Sequence, residues 1–389
     1  MTDSHSPVFD PDTLIKTAQQ RCELTEFDDF PLMEPLTAIC HALNKEADLS
    51  EQGVQVWQER LINVLSTRLR AQWWWTEYPE ILEERVESPL VILGLTRSGT
   101  TLLQRLISAD PRFYSAAWWE NRFPVPAQDD VEGAKRRAQA VAEIDALLAA
   151  SPELASIHPF NALEADEDIL LLDQTLLSTT SESMAPMPGY REWLKGQDKG
   201  PAYRYLKRML QFLQWQKRQR GETAQRWLLK TPMHLAHIPE ILEVFPDAEF
   251  VQTHRDPVTT IASYSSMIYN QWLASTKTPD KAAAGQLALN QIGDYLDACL
   301  AFREQHPEQA FVDVDFKKTM KAPLDVVADI YQAIDFPMTN EASASVAAWM
   351  AANPRDNRPP HRYDLAGYGL SESQVAERFA GYRKRFILD

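Results

Sequence analysis

Leu90, Val91, Ile92 and Leu93 form an unbroken apolar run, the pattern of a strand covered on both faces of a parallel sheet. Beyond Gly94 to Gly99 the pattern changes period, and Leu102, Leu103, Leu106 and Ile107 recur at helical spacing. The alternation repeats. Trp227 to Leu229 reads as a strand, followed by a helix with Leu235, Ile238, Ile241 and Phe245 on one face. Glu249 to Thr253 and Ala310 to Val314 are further strands, and Leu324 to Ile334 a further helix. Strand and helix units in alternation predict an α/β fold, a doubly wound parallel sheet flanked by helices.

Residues 11–85 read as helical throughout, with Val54, Trp57, Leu61, Val64, Leu65 and Leu69 marking one face. The expected organisation is a helical N-terminal extension over 1–86, packed on an α/β domain over 87–389. Trp73, Trp74 and Trp75 cannot all point inward from one helix, so two are expected against the sheet edge and one exposed or lining a pocket. Asp129 to Ala150 reads as a charged helix with Lys135, Arg136 and Arg137 solvated. Glu164 to Asp168 supplies acids to the first turn of an apolar helix, which the helix dipole explains without chemistry. Ser178 to Gly200 has the length and composition of an irregular lid. Ser371 and Gln374 form a capping pattern before a last helix bearing Val375, Phe379, Tyr382 and Phe386.

The chemistry starts at the first strand–loop–helix unit. A glycine loop between a buried strand and a helix N-terminus gathers free backbone N–H groups at the positive end of the helix dipole, which makes the unit P-loop-like. The nucleoside-triphosphate loop G-x-x-x-x-G-K-[ST] needs a lysine where this chain has Thr100. Instead Arg97 places a fixed charge inside the loop, and Ser98, Gly99, Thr100 and Thr101 add hydroxyls and amides, equipment for a single phosphate. Lys230 and Arg255 stand at the C-terminal ends of two other strands. Asp256 and Pro257 start the next helix, and Ser263 follows two turns in, so Arg255 and Ser263 are able to face one ligand. A glycine turn before an ordinary core helix is the competing reading of the first motif, and the second motif argues against it.

Composition narrows the classes. A chain of 389 residues, 44% hydrophobic, is long enough for a large core. Its formal charge of −16 opposes nucleic acid or polyanionic glycan as a partner. No stretch approaches a membrane span and no leader pattern opens the chain, so it reads as cytoplasmic. Cys22, Cys40 and Cys299 fit neither a disulfide framework nor a zinc site, and no metal is expected.

With both motifs in hand, the sequence resembles the sulfotransferases that use 3′-phosphoadenosine 5′-phosphosulfate (PAPS). The R-S-G-T-T loop over Arg97 to Thr101 is similar to that of tyrosylprotein sulfotransferases and bacterial relatives. The block WLLKTPMHLAHIPEILEVFPDAEFVQTHRDPVTTIASYSSM, with Ser263 eight positions after Arg255, is similar to the second half of the same core. The K-T-P-M-H block and the H-x-Y-D-L-x-x-Y-G-L pattern from His361 to Leu370 point to a broad bacterial branch. The resemblance implies that Arg97 to Thr101 hold the 5′-phosphosulfate, that Arg255 and Ser263 hold the 3′-phosphate, and that Arg97 and Lys230 carry transition-state charge. For the base it implies Glu120, in an E-N-R segment similar to E-T-R of the tyrosylprotein enzymes but at a longer spacing. His158 is the other candidate base. Abundant Trp, Tyr and Met favour a largely apolar hydroxylated small molecule or lipid as acceptor. A kinase-like phosphotransferase and a non-catalytic nucleotide-binding protein are the alternatives, and the oligomeric state stays open.

Overall fold

The apolar run at 90–93 is the middle of the molecule. In the computed structural model, which describes residues 8–127, 130–150, 159–354 and 364–387, β1 (Leu90–Gly94) is the central strand of a five-stranded sheet. The other strands are β2 (Phe113–Tyr114), β3 (Arg226–Lys230), β4 (Glu249–His254) and β5 (Phe311–Asp315), in the order β2-β3-β1-β4-β5. All pairings are parallel. Successive side chains leave opposite faces. Val91 and Leu93 therefore enter one core with Leu229 and Phe250, while Leu90 and Ile92 enter the other with Leu228 and Val251. That double burial is why β1 lacks alternation.

The second core is closed by α4 (Thr100–Ser108), Pro323–Ala333 and Asn340–Ala352. The first is shared by the sheet and the N-terminal helices α1 (Pro11–Cys22), α2 (Met33–Lys45) and α3 (Glu51–Glu77). The helical stretch expected over 11–85 is thus interrupted twice, with caps at Asp10 and Ser50 whose side chains accept backbone N–H groups. Trp74 and Trp75 are buried, but against Phe212, Trp215 and Tyr205 of the long helix Gly200–Gln219 rather than the sheet edge. Trp73 is partly exposed and meets Trp74 edge-on.

Several local expectations are corrected by packing. Ser178 to Gly200 is not an irregular lid: it contains helices Thr180–Met184 and Pro188–Lys195, and Ser178, Ser181, Glu182 and Tyr190 are buried. Arg136 is buried rather than solvated, because Asp130 and the side-chain carbonyl of Gln216 accept its N–H groups. The apolar helix after Asp168 is a single turn, Ile169–Leu172, running into a 3₁₀ turn. The last helix divides into Glu372–Arg378, capped by Ser371, and Ala380–Phe386. Among the described residues no helix is long and apolar enough to cross a membrane.

The sheet order places the chemistry. From β1 the chain crosses to β2 on one side, while β4 lies on the other, so the loop after β1 sits at a topological switch point, where open α/β sheets bind ligands. β3 and β4 flank β1 directly, and their C-terminal ends bring Lys230 and Arg255 to either side of that loop.

Candidate active site

The loop itself is shaped by close approach. A Cβ on Gly94 would lie 2.2 Å from Thr253 Oγ1, so only glycine lets β4 come this near. Gly99 has φ 88°, a left-handed conformation, and a Cβ there would press on the Phe316 ring at 3.1 Å. Arg97 also has a positive φ, 67°. The Ser98 hydroxyl turns inward, donating to Leu95 O at 2.6 Å and lying 2.7 Å from Thr253 Oγ1. Ser98 therefore holds the turn together rather than facing a ligand. α4 starts at Thr100, and its first intrahelical bond runs from Leu103 N to Gly99 O, which leaves the preceding amides of the first turn for an anion.

Lys230 is fully buried at the end of β3, and its Nζ donates to Glu167 Oε1 at 2.9 Å and to Thr101 Oγ1 at 3.4 Å. A buried ammonium needs such a partner. The neighbouring Asp168 is buried as well. Its Oδ1 accepts the Lys230 backbone N–H at 3.0 Å and its Oδ2 lies 2.8 Å from His234 Nε2. Because a carboxylate only accepts, His234 Nε2–H donates to Asp168, and His234 Nδ1 lies 2.9 Å from the Tyr203 hydroxyl. Burial alone would raise the Asp168 pKa, but His234 and the backbone N–H groups outweigh it and hold it below the ordinary carboxylate value. Lys230 is fixed at both ends: Asp168 holds its backbone and Glu167 its amine.

On the other side of the loop, Arg255 Nη1 donates to Arg97 O at 2.6 Å, and the guanidinium lies over Phe316, 4.1 Å from the ring centre. Burial and the like charge of Arg97 both lower the Arg255 pKa. Ser263, on the helix Ile261–Ser275, is buried with a hydroxyl that has no hydrogen-bond partner among the described residues. Asp256 caps the intervening turn by accepting the Val258 N–H at 3.1 Å, as the sequence predicts.

Comparison with known proteins decides the family. A model of the sulfotransferase family matches residues 89–340. The chain belongs to the sulfotransferase family. Sulfotransferase STF9 from Mycobacterium avium superimposes with TM-score 0.87 at 29% identity, over 100% of this chain and 99% of the other. STF1 from Mycobacterium tuberculosis H37Rv gives TM-score 0.82 at 31% identity, over 97% of this chain and 100% of the other. No curated protein sequence matches.

For this sulfotransferase the structure brings Arg97, Ser98, Thr101, Lys230 and Arg255 together around one loop. It does not bring Glu120 there. Glu120 lies in the short helix Trp118–Arg122, and its carboxylate is buried, accepting from Lys217 Nζ at 2.8 Å, Arg220 Nη2 at 2.7 Å and the Ala117 N–H at 3.0 Å. It lines a hollow of about 460 Å³ together with Ser108 and Ala109, at the far end of α4 from the loop. A helix of 9 residues is about 13 Å long from end to end. His158, and His361 to Tyr363 of the closing pattern, lie outside the described residues. Sequence reasoning missed Glu167, Asp168 and His234. The available signal was the E-A-D-E-D run itself: more carboxylates than one helix start requires, in a chain whose strand-end lysine needs a counter-ion.

Proposed function

We propose that this sulfotransferase moves a sulfuryl group from PAPS to a hydroxyl of a largely apolar small molecule or lipid. The observation that carries the donor reading is Arg255, seated on the loop through Arg97 O, together with a buried Ser263 hydroxyl that has no hydrogen-bond partner among the described residues, beside the N-terminus of α4. These residues fit a nucleotide with separate 5′ and 3′ anionic groups. Arg97 and the amides from Gly99 to Thr101 would hold the 5′-phosphosulfate, and Arg255 with Ser263 the 3′-phosphate. Thr100, in place of the triphosphate-loop lysine, supports this over a kinase-like use of ATP.

In the transfer, an acceptor oxygen bonds to sulfur while the bond from sulfur to the 5′-phosphate oxygen breaks, and the hydroxyl proton goes to a base. PAPS supplies the activated sulfuryl group. Lys230, beside Thr101 at the loop, is placed to stabilise charge developing on the leaving phosphate oxygen. The geometry favours Glu167 as the base. Its side chain is 25% exposed and its Oε1 accepts from the same ammonium, whereas both oxygens of Glu120 are committed to buried cations. Asp168, His234 and Tyr203 act behind it, holding Lys230 in place. The test is a screen of hydroxylated lipids, sterols and phenols with PAPS, detected by the mass of an added SO₃. A sulfated product supports the reading, and phosphorylated products formed from ATP would replace it with the kinase one.

A further inference from the structure

The loop that carries Arg255 is gripped by the last helix of the chain, Ala380–Phe386, which lies beyond residue 340 where the family match ends. Each residue from 254 to 256 is engaged. Arg383 donates through Nε and Nη2 to the two carboxylate oxygens of Asp256, each at 3.0 Å. The Tyr382 hydroxyl lies 3.0 Å from His254 Nδ1 and faces the Arg255 backbone N–H. Phe386 stacks on the His254 ring with centroids 4.1 Å apart, and the other ring nitrogen of His254 reaches Asp313 Oδ1 at 2.7 Å. Asp313 is itself held by both terminal nitrogens of Arg303.

Such a grip answers a physical need. Arg255 and Arg97 carry like charges at close quarters, and a long guanidinium side chain is costly to hold in one place unless its backbone is fixed. Asp256 anchors that backbone from one side through its cap on Val258, and Arg383 from the other. We propose that this helix is part of the donor site, with Tyr382 and Arg383 as positioning residues that hold Arg255 against Arg97 and thereby set the preference for a nucleotide bearing a 3′-phosphate. The inference rests on the donor reading above. It predicts that preorganisation, rather than direct contact, is what Arg383 contributes to affinity.

The experiment is isothermal titration of the full chain with adenosine 3′,5′-bisphosphate and with adenosine 5′-monophosphate, which lacks the 3′ group. Wild type should favour the bisphosphate. Arg383→Ala should lose about tenfold in affinity for the bisphosphate, the equivalent of one charge-assisted hydrogen bond, while its affinity for the monophosphate stays within about twofold. Arg383→Lys, which keeps a charge but not the fork, should recover part of the loss, and Tyr382→Phe should lose about threefold in the same selective way. Should Arg383→Ala unfold, the Lys and Phe variants still read the selectivity. If the Arg383 and Tyr382 variants keep the wild-type preference while Arg255→Ala abolishes it, the helix is only structural and the inference fails. If wild type itself does not distinguish the two nucleotides, the donor reading fails instead.

Discussion

Two glutamates compete for the role of base, and the structure predicts opposite consequences for removing their charge. Glu120 is buried between Lys217 and Arg220, so Glu120→Gln leaves buried cations short of a counter-charge, a loss of about 3–5 kcal/mol. Glu167 has one cationic partner, the fully buried Lys230, and solvent reaches a quarter of the Glu167 side chain, so Glu167→Gln strands one buried cation rather than two and should cost about 2–3 kcal/mol. For 389 residues the unfolding entropy is about 0.8 kcal/mol/K, so Glu120→Gln should lower Tm by about 4–6 °C and Glu167→Gln by about 2–4 °C. Turnover should show the reverse order. Glu167→Gln should reduce kcat by about 100- to 10,000-fold with donor affinity spared, and Glu120→Gln should keep near-normal kcat below its melting range. The assays are differential scanning calorimetry and sulfuryl transfer to an acceptor found in the screen. Full turnover by Glu167→Gln, with an inactive but folded Glu120→Gln, would refute this and return the base to Glu120.

Lys230→Met should fill the same buried space and leave nucleotide binding nearly intact, yet slow transfer by about a hundredfold or more; wild-type turnover in this variant would remove Lys230 from the chemistry. Stability should also carry a mark of Asp313. Burial works against its charged form, but hydrogen bonds from Arg303 and His254 hold its pKa well below the ordinary value. A carboxylate depressed in the folded state stabilises above its unfolded pKa of about 3.9 and loses that contribution as pH falls below it. The urea midpoint of wild type should therefore drop more between pH 6 and pH 3 than that of Asp313→Asn, and equal drops would contradict the linkage.

The parts of the site that were legible in the sequence are those encoded locally. The apolar run of β1, the glycine loop and the Asp256–Pro257 helix start each depend on neighbours a few residues away, and strand order then sets Lys230 and Arg255 beside the loop. Glu167 and Asp168 were obscured because their partner, Lys230, is 63 and 62 residues downstream, and only the fold joins them. Glu120 shows the opposite failure. Its segment resembles a catalytic one, but its carboxylate bends back to the Ala117 N–H and meets cations 97 and 100 residues later, none of which local similarity can reveal. β2 escaped notice because a strand of 2 residues has no period to detect. The supposed lid looked loose by composition, yet its serines are buried and bonded, Ser178 to Asp173 Oδ1 at 2.7 Å among them.

The most direct test of the central claim, a donor site built for separate 5′ and 3′ anions, is calorimetric titration of the wild-type protein and Arg255→Ala with adenosine 3′,5′-bisphosphate and with ATP. The bisphosphate should bind wild type far more tightly than ATP, without magnesium, and Arg255→Ala should weaken it by about ten- to a hundredfold, the loss of one charge-assisted phosphate contact. Equal affinity for ATP and the bisphosphate, unchanged by Arg255→Ala, would contradict the account.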